Sequence, residues 1–147
     1  MKVSMKVDYG VRALVDLAMH ERGRLIQTSE IALRQNIPEP FLDQVLTTLR
    51  KAGLIRSRRG PQGGHALARP ATEITLADAV EALEGMTRSI DCLGKGEEFC
   101  SQSGTCSQQD VWREVEEATW RILRAHNIGD MAARQSRVLG RTAIYHI

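Results

Sequence analysis

Aromatic residues are scarce in this 147-residue sequence: two Trp, two Tyr and two Phe, 4% of the chain. That leaves few flat surfaces for stacking sugars or bases. It points to a core of helices packed through Leu, Val, Ile and Ala, for which the 42% hydrophobic content is sufficient. Long apolar runs are lacking too. Nothing approaches the roughly 20 residues of a membrane span, and the opening MKVSMKVDYG does not read as a secretory signal. The expected location is cytoplasmic, with no membrane partner. No phosphate-binding loop, paired catalytic carboxylates or Ser/His/Asp order stands out, so neither an enzyme nor a small-molecule substrate is expected. Cysteine is limited to Cys92, Cys100 and Cys106. Three is one short of a tetrahedral metal site and one too many for a single disulfide. In a reducing compartment, clustered thiols serve metals or redox chemistry more often than disulfides.

Charge is present but unevenly spread. Residues 1–69 carry twelve Lys/Arg against six Asp/Glu, a balance of +6, and residues 70–147 carry eight against twelve, a balance of −4. A basic first half suits a polyanionic partner.

The pattern is mainly α with a small β-hairpin. VDYGVRALVDLAMHE (7–21) sets Val7, Val11, Leu14, Leu17 and Ala18 at helical spacing. Thr28 or Ser29 is the expected N-cap of a short helix buried through Ile31, Ala32 and Leu33. After NIP, Pro40 opens a third helix with Phe41, Leu42, Val45, Leu46 and Leu49 buried, closed by Gly53. Two strand-like runs, 54–59 and 65–69, flank GPQGG, a hairpin signal. TLAD (75–78) resembles a capping box for a fourth helix ending at Gly85. Residues 86–106 lack periodicity. From 107 to 126 an apolar stripe returns (Val111, Trp112, Val115, Ala118, Thr119, Ile122, Leu123) on a helix of about 20 residues, roughly 30 Å long. A second copy of that helix is the natural cover for its stripe, which makes a homodimer the expectation. The order describes a winged helix-turn-helix (1–85), a cysteine-rich loop (86–106), a long dimerisation helix (107–129) and a weakly patterned C-terminal tail (130–147).

In such a module the third helix enters the major groove of double-stranded DNA. Asp43, Gln44, Thr47, Thr48 and Lys51 face outward from it, with Pro40 and Phe41 at its leading end. Gln can pair bidentately with adenine, Asp can accept from the cytosine amino group, and Thr can touch a thymine methyl. Thr28 and Ser29, opening the preceding helix, suit phosphate. Arg58 and Arg59 precede a wing tip in which Gly60, Gly63 and Gly64 allow close backbone approach, and an Arg there can enter a narrow minor groove.

The segments KVSMKVDYGVRALVDLA and FLDQVLTTLRKAGLIRSRRGPQGGHALARPATEITLADAVEALEG, with the three-cysteine loop, closely resemble the winged-helix repressor family containing the iron–sulfur regulator IscR, the nitric-oxide sensor NsrR and the iron regulator RirA. The resemblance covers residues 1 to about 125, and its most specific piece is LRKAGLIRSRRGPQGGHAL. It implies a homodimeric transcriptional repressor of palindromic operators, with helix 107–126 crossing its partner.

Thiolates are the usual ligands of iron–sulfur clusters. The spacing C-x7-C-x5-C has no C-x2-C knuckle and fits structural zinc poorly. In pattern it is similar to the RirA arrangement. The resemblance implies a labile cluster, 4Fe–4S rather than 2Fe–2S, that senses iron, nitric oxide or redox stress. IscR-like members carry His three residues after the last cysteine, where this sequence has Gln109. NsrR-like members use an aspartate of the partner's first helix, matched here by Asp8; the plain alternative is an i, i+4 surface pair between Asp8 and Arg12. A cluster-free regulator, controlled by thiols or by a partner protein, stays open beside the cluster reading.

Overall fold

A computed structural model describes residues 2–86, 93, 100–102 and 104–145. Its elements run α1 (Met5–His20), α2 (Thr28–Gln35), α3 (Glu39–Lys51), β1 (Ile55–Arg58), β2 (Gly64–Leu67), a 3-10 turn (Ala71–Glu73), α4 (Leu76–Glu84), α5 (Gln109–Ala125) and α6 (Ile128–Tyr145). The mainly α chain with one hairpin is therefore present as expected.

Local chemistry sets the boundaries. The Ser4 side chain caps α1 by accepting from Val7 N at 3.2 Å. Thr75 and Asp78 form a reciprocal capping box at α4, with bonds of 3.1 and 2.8 Å. The turn between α2 and α3 is tight because Asn36 adopts the left-handed conformation (φ 51°), which Asn tolerates better than most residues. Ile37 is buried behind it, and Pro40 sits in the first turn of α3, where its missing N–H costs nothing. Gly53, at φ 76°, follows α3 and turns the chain into β1.

Leu14 and Leu17 of α1, Ile31 of α2, and Leu42, Leu46 and Leu49 of α3 meet with Ile26, Ile74 and Ile128 in one core. β1 and β2 pair antiparallel, Ile55 opposite Leu67 and Arg58 opposite Gly64. A single bridge between Ile26 and His65 adds a third backbone to the free side of β2. α5 packs on α4 through Trp120, over whose ring the Arg124 guanidinium sits at 5.7 Å.

Four local expectations are corrected. Leu33, expected inside, is 85% exposed: successive helical residues turn by 100°, so Ile31 and Ala32 face the core and Leu33 points away. Phe41 is 59% exposed for the same reason, one step ahead of buried Leu42. The N-cap of α2 is Gln27, with Thr28 as the first helical residue. The segment from 130, read as a weakly patterned tail, is helical: α6 packs along α1 and buries Ile128 and Ala132. Few apolar residues dock, so its stripe is faint in the sequence. Its start is fixed by Asn127, whose Oδ1 accepts from Asp130 N at 2.8 Å, and by a bond from Ile128 N to the Ile74 carbonyl.

Candidate nucleic-acid interface and cysteine segment

α2 is seated on α1 by a buried charge. Asp16 has no exposed surface, and its carboxylate accepts from Arg34 Nε (3.0 Å) and Nη2 (2.7 Å) and from Gln35 Nε2 (2.9 Å). The bond to Asp16 raises the pKa of Arg34 above that of an ordinary guanidinium. Across the same helix, Arg24 grips Glu30 with two bonds of 3.2 and 3.0 Å. The Arg24 bond holds the Glu30 carboxyl down at about 2.

With α2 fixed, α3 presents Pro40, Phe41, Asp43, Gln44, Thr47 and Lys51 to solvent, and Thr48 partly so. The Thr47 hydroxyl donates to the Asp43 carbonyl at 2.8 Å and that of Thr48 to the Gln44 carbonyl at 3.1 Å. Those bonds occupy the hydroxyls and suit the exposed Thr47 to methyl contact.

The wing is tied to α2 rather than free. Gln27 Nε2 donates to the Pro61 carbonyl at 3.1 Å. Ile26 and His65 exchange backbone bonds of 2.9 and 2.7 Å. The His65 ring then joins Thr28 Oγ1 (2.8 Å from Nε2) to Ser57 Oγ (2.7 Å from Nδ1). Burial pushes the His65 pKa below its ordinary value, Asp43 opposing and Arg50 adding to the shift. Arg56, Arg58 and Arg59 are exposed, and a concavity of about 330 Å³ at the wing's base is lined by Arg24, Arg56, Arg58 and Glu21 among others.

The tip glycines have internal reasons to be glycine. A Cβ on Gly63 would run into the Arg58 carbonyl oxygen, and one on Gly64 would lie 2.6 Å from the Ile26 oxygen, with φ at 143°. Sequence reasoning tied these residues to DNA approach, whereas the hairpin's own packing already requires them. It drew nothing from His65, although the alternation that places it opposite Ser57 was an available signal.

Cys92 lies outside the described residues. Cys100 and Cys106 are free, half-buried thiols, and the Cys106 carbonyl accepts from Gln109 N at the start of α5. Among the described residues no three His, Cys, Asp or Glu side chains converge on a common point. Asp8 is bonded to Arg12 through Nε (3.2 Å) and Nη2 (2.7 Å), and Arg12 Nη1 reaches on to the Gln35 carbonyl at the end of α2 (3.2 Å). The surface pair weighed for Asp8 therefore exists, while its carboxylate retains lone pairs beyond those two bonds. Among the described residues no helix is long and apolar enough to cross a membrane.

The sequence matches the profile of the Rrf2 family, described as iron-dependent transcriptional regulators, over residues 3–134. The rrf2 protein of Nitratidesulfovibrio vulgaris is 34% identical over 89% of this chain and 87% of its own length. CymR, the global cysteine regulator of B. subtilis, has a TM-score of 0.75 at 28% identity, covering 91% of this chain and 98% of its own. T. potens IscR has a TM-score of 0.74 at 34% identity, covering 92% and 88%. Fold and relatives alike are those of winged-helix regulators and not of enzymes.

Proposed function

This chain belongs to the Rrf2 family of transcriptional regulators, and from that premise we propose that it is a homodimeric repressor of palindromic operators whose DNA affinity is set by an iron–sulfur cluster. Cys92, Cys100 and Cys106 would hold the cluster, 4Fe–4S rather than 2Fe–2S, with Asp8 of the partner protomer as the oxygen ligand. The observation that carries the reading is placement. The thiols of Cys100 and Cys106 are free and half-buried, in the segment between the DNA-binding half and α5, a helix whose Val111, Val115 and Ile122 are exposed. The donor set fits: thiolates suit iron–sulfur clusters, and a partly shielded position slows their loss to solvent. With three thiolates and one oxygen ligand, a bound cluster supplies an iron open to nitric oxide, oxygen or chelators.

The chain's own residues supply the route to DNA. Asp8 is held by Arg12, and Arg12 holds the last carbonyl of α2, so whatever draws on Asp8 acts on the helix ahead of the reading helix. α3 reads bases through Asp43, Gln44 and Thr47, with Pro40, Phe41 and Lys51 at its ends. Thr28 and Ser29 meet phosphate. Arg58 and Arg59, on the turn through Gly60, Gly63 and Gly64, reach a minor groove. Likeness to CymR favours a second reading, in which the same thiols respond by oxidation or through a partner protein and no cluster is held.

Native mass spectrometry of an anaerobic preparation, with its optical spectrum, separates the two. One intact cluster per chain on a dimer supports the first; a colourless dimer at apo mass after reconstitution with iron and sulfide supports the second. The DNA half is tested apart from this. Arg59→Ala should weaken binding to a selected palindromic duplex roughly tenfold, the scale of one charge-assisted contact. Unchanged affinity would remove the wing from the interface.

A further inference from the structure

His65 stands between the two parts of the DNA-facing surface. On one side its Nε2 lies 2.8 Å from the hydroxyl of Thr28, the first residue of α2; on the other its Nδ1 lies 2.7 Å from the hydroxyl of Ser57 on β1. The hairpin register and the bridge to Ile26 are backbone features and do not need the ring. What the ring does control is the direction in which the two hydroxyls point their hydrogens.

A neutral imidazole has one N–H and one lone pair. With the proton on Nε2, the Ser57 O–H donates to Nδ1, the Nε2–H donates to Thr28 Oγ1, and the Thr28 hydrogen is left to donate outward. With the proton on Nδ1, Thr28 spends its hydrogen on Nε2 and offers only lone pairs, which repel a phosphate oxygen. An anion at the start of α2 therefore selects the first arrangement, and bonds running in one direction strengthen one another.

We propose that His65 is a positioning residue for DNA binding: it relays a hydrogen bond from Ser57 of the wing to Thr28 of α2, so that the Thr28 hydroxyl donates to a backbone phosphate and wing and helix-turn-helix engage DNA as one unit. Asp43 and Arg50 of α3 are the charged groups that act on the ring, and they act in opposite senses. Burial keeps the ring neutral near pH 7, which is the state the relay uses. The inference rests on the DNA-reading assignment above, and its failure is distinguishable from failure of that assignment.

The test uses the full chain and a duplex selected from a randomised DNA library by the native protein. His65→Phe keeps ring volume and loses both nitrogens; His65→Gln keeps one donor and one acceptor. Phe should weaken binding roughly threefold, the scale of one neutral hydrogen bond, because the Thr28 hydroxyl remains but nothing holds its hydrogen outward, and Gln should restore part of it. His65→Phe should add little on top of Thr28→Val, because without the Thr28 hydroxyl the relay has nothing to orient. Thermal melts of each variant separate loss of affinity from loss of fold. Native-like affinity of the Phe variant, a Gln variant weaker than Phe, or additive losses from Phe and Thr28→Val would each overturn the relay. Arg59→Ala in the same assay decides which idea has failed: weakened binding there with an unaffected Phe variant sinks the relay alone, and no effect from either sinks the DNA-reading assignment.

Discussion

Asp16 is the one charged residue buried in the core among the described residues, and three donated hydrogen bonds account for its tolerance there. Replacing it with Ala leaves Arg34 only its longer, 3.6 Å contact to Glu30. Since the Arg34 side chain is 29% exposed and can turn to water, the loss should lie at the low end for a broken buried pair, about 3 kcal/mol. Urea unfolding of Asp16→Ala, with Asp16→Asn intermediate, checks this. His65 gives a pH signature. Burial holds its folded pKa below the ordinary 6.5, so as pH falls the unfolded chain takes up a proton first. Its contribution to stability is complete above 6.5 and declines as pH drops from there towards the folded pKa. Urea midpoints for the native chain should fall across that window, and His65→Gln should flatten the slope.

At the scale of elements, the wing behaves as part of the helix-turn-helix because three links hold it there: Gln27 to Pro61, Ile26 to His65, and Thr28 to Ser57 through the His65 ring. Gly64→Ala would push a Cβ against the Ile26 backbone at a left-handed φ, while Gly60, at φ 109°, faces open space. Gly64→Ala should therefore cost about 2 kcal/mol or more and Gly60→Ala about 1. The order of their melting temperatures is the check. These links also mark where sequence reading stops. Capping and periodicity depend on neighbours within a turn, and so the Thr75–Asp78 box, Gly53 and the stripe of α1 were legible. The pairings of Asp16 with Arg34, of Arg12 with the Gln35 carbonyl and of His65 with Thr28 join residues 18 to 37 apart, and no local pattern announces them. α6 falls between: its Asn127–Asp130 cap is a local signal that could have been read, but its docking on α1 is a tertiary fact.

At the scale of the whole molecule, α5 has two faces. Trp120 is buried against α4, while Val111 (57%), Val115 (44%) and Ile122 (57%) stay exposed at spacings of four and seven residues along the helix. That spacing is a seam one helix offers to another, and nothing within the described chain covers it. A second copy crossing here is the dimer that the proposed reading requires, both for paired half-sites and for an Asp8 supplied by the partner. Replacing both Val115 and Ile122 with Glu puts charge into the seam without touching the α4 contact through Trp120. The variant should sediment as a monomer with unchanged helical circular dichroism. Losing the second half-site removes the avidity of paired binding, so affinity for a palindromic duplex should fall roughly a hundredfold or more. Affinity for a duplex with a single half-site should hardly change. A native chain that sediments as a monomer at micromolar concentration, or a Glu variant that still dimerises, would move the interface off α5 and take the Asp8 assignment with it.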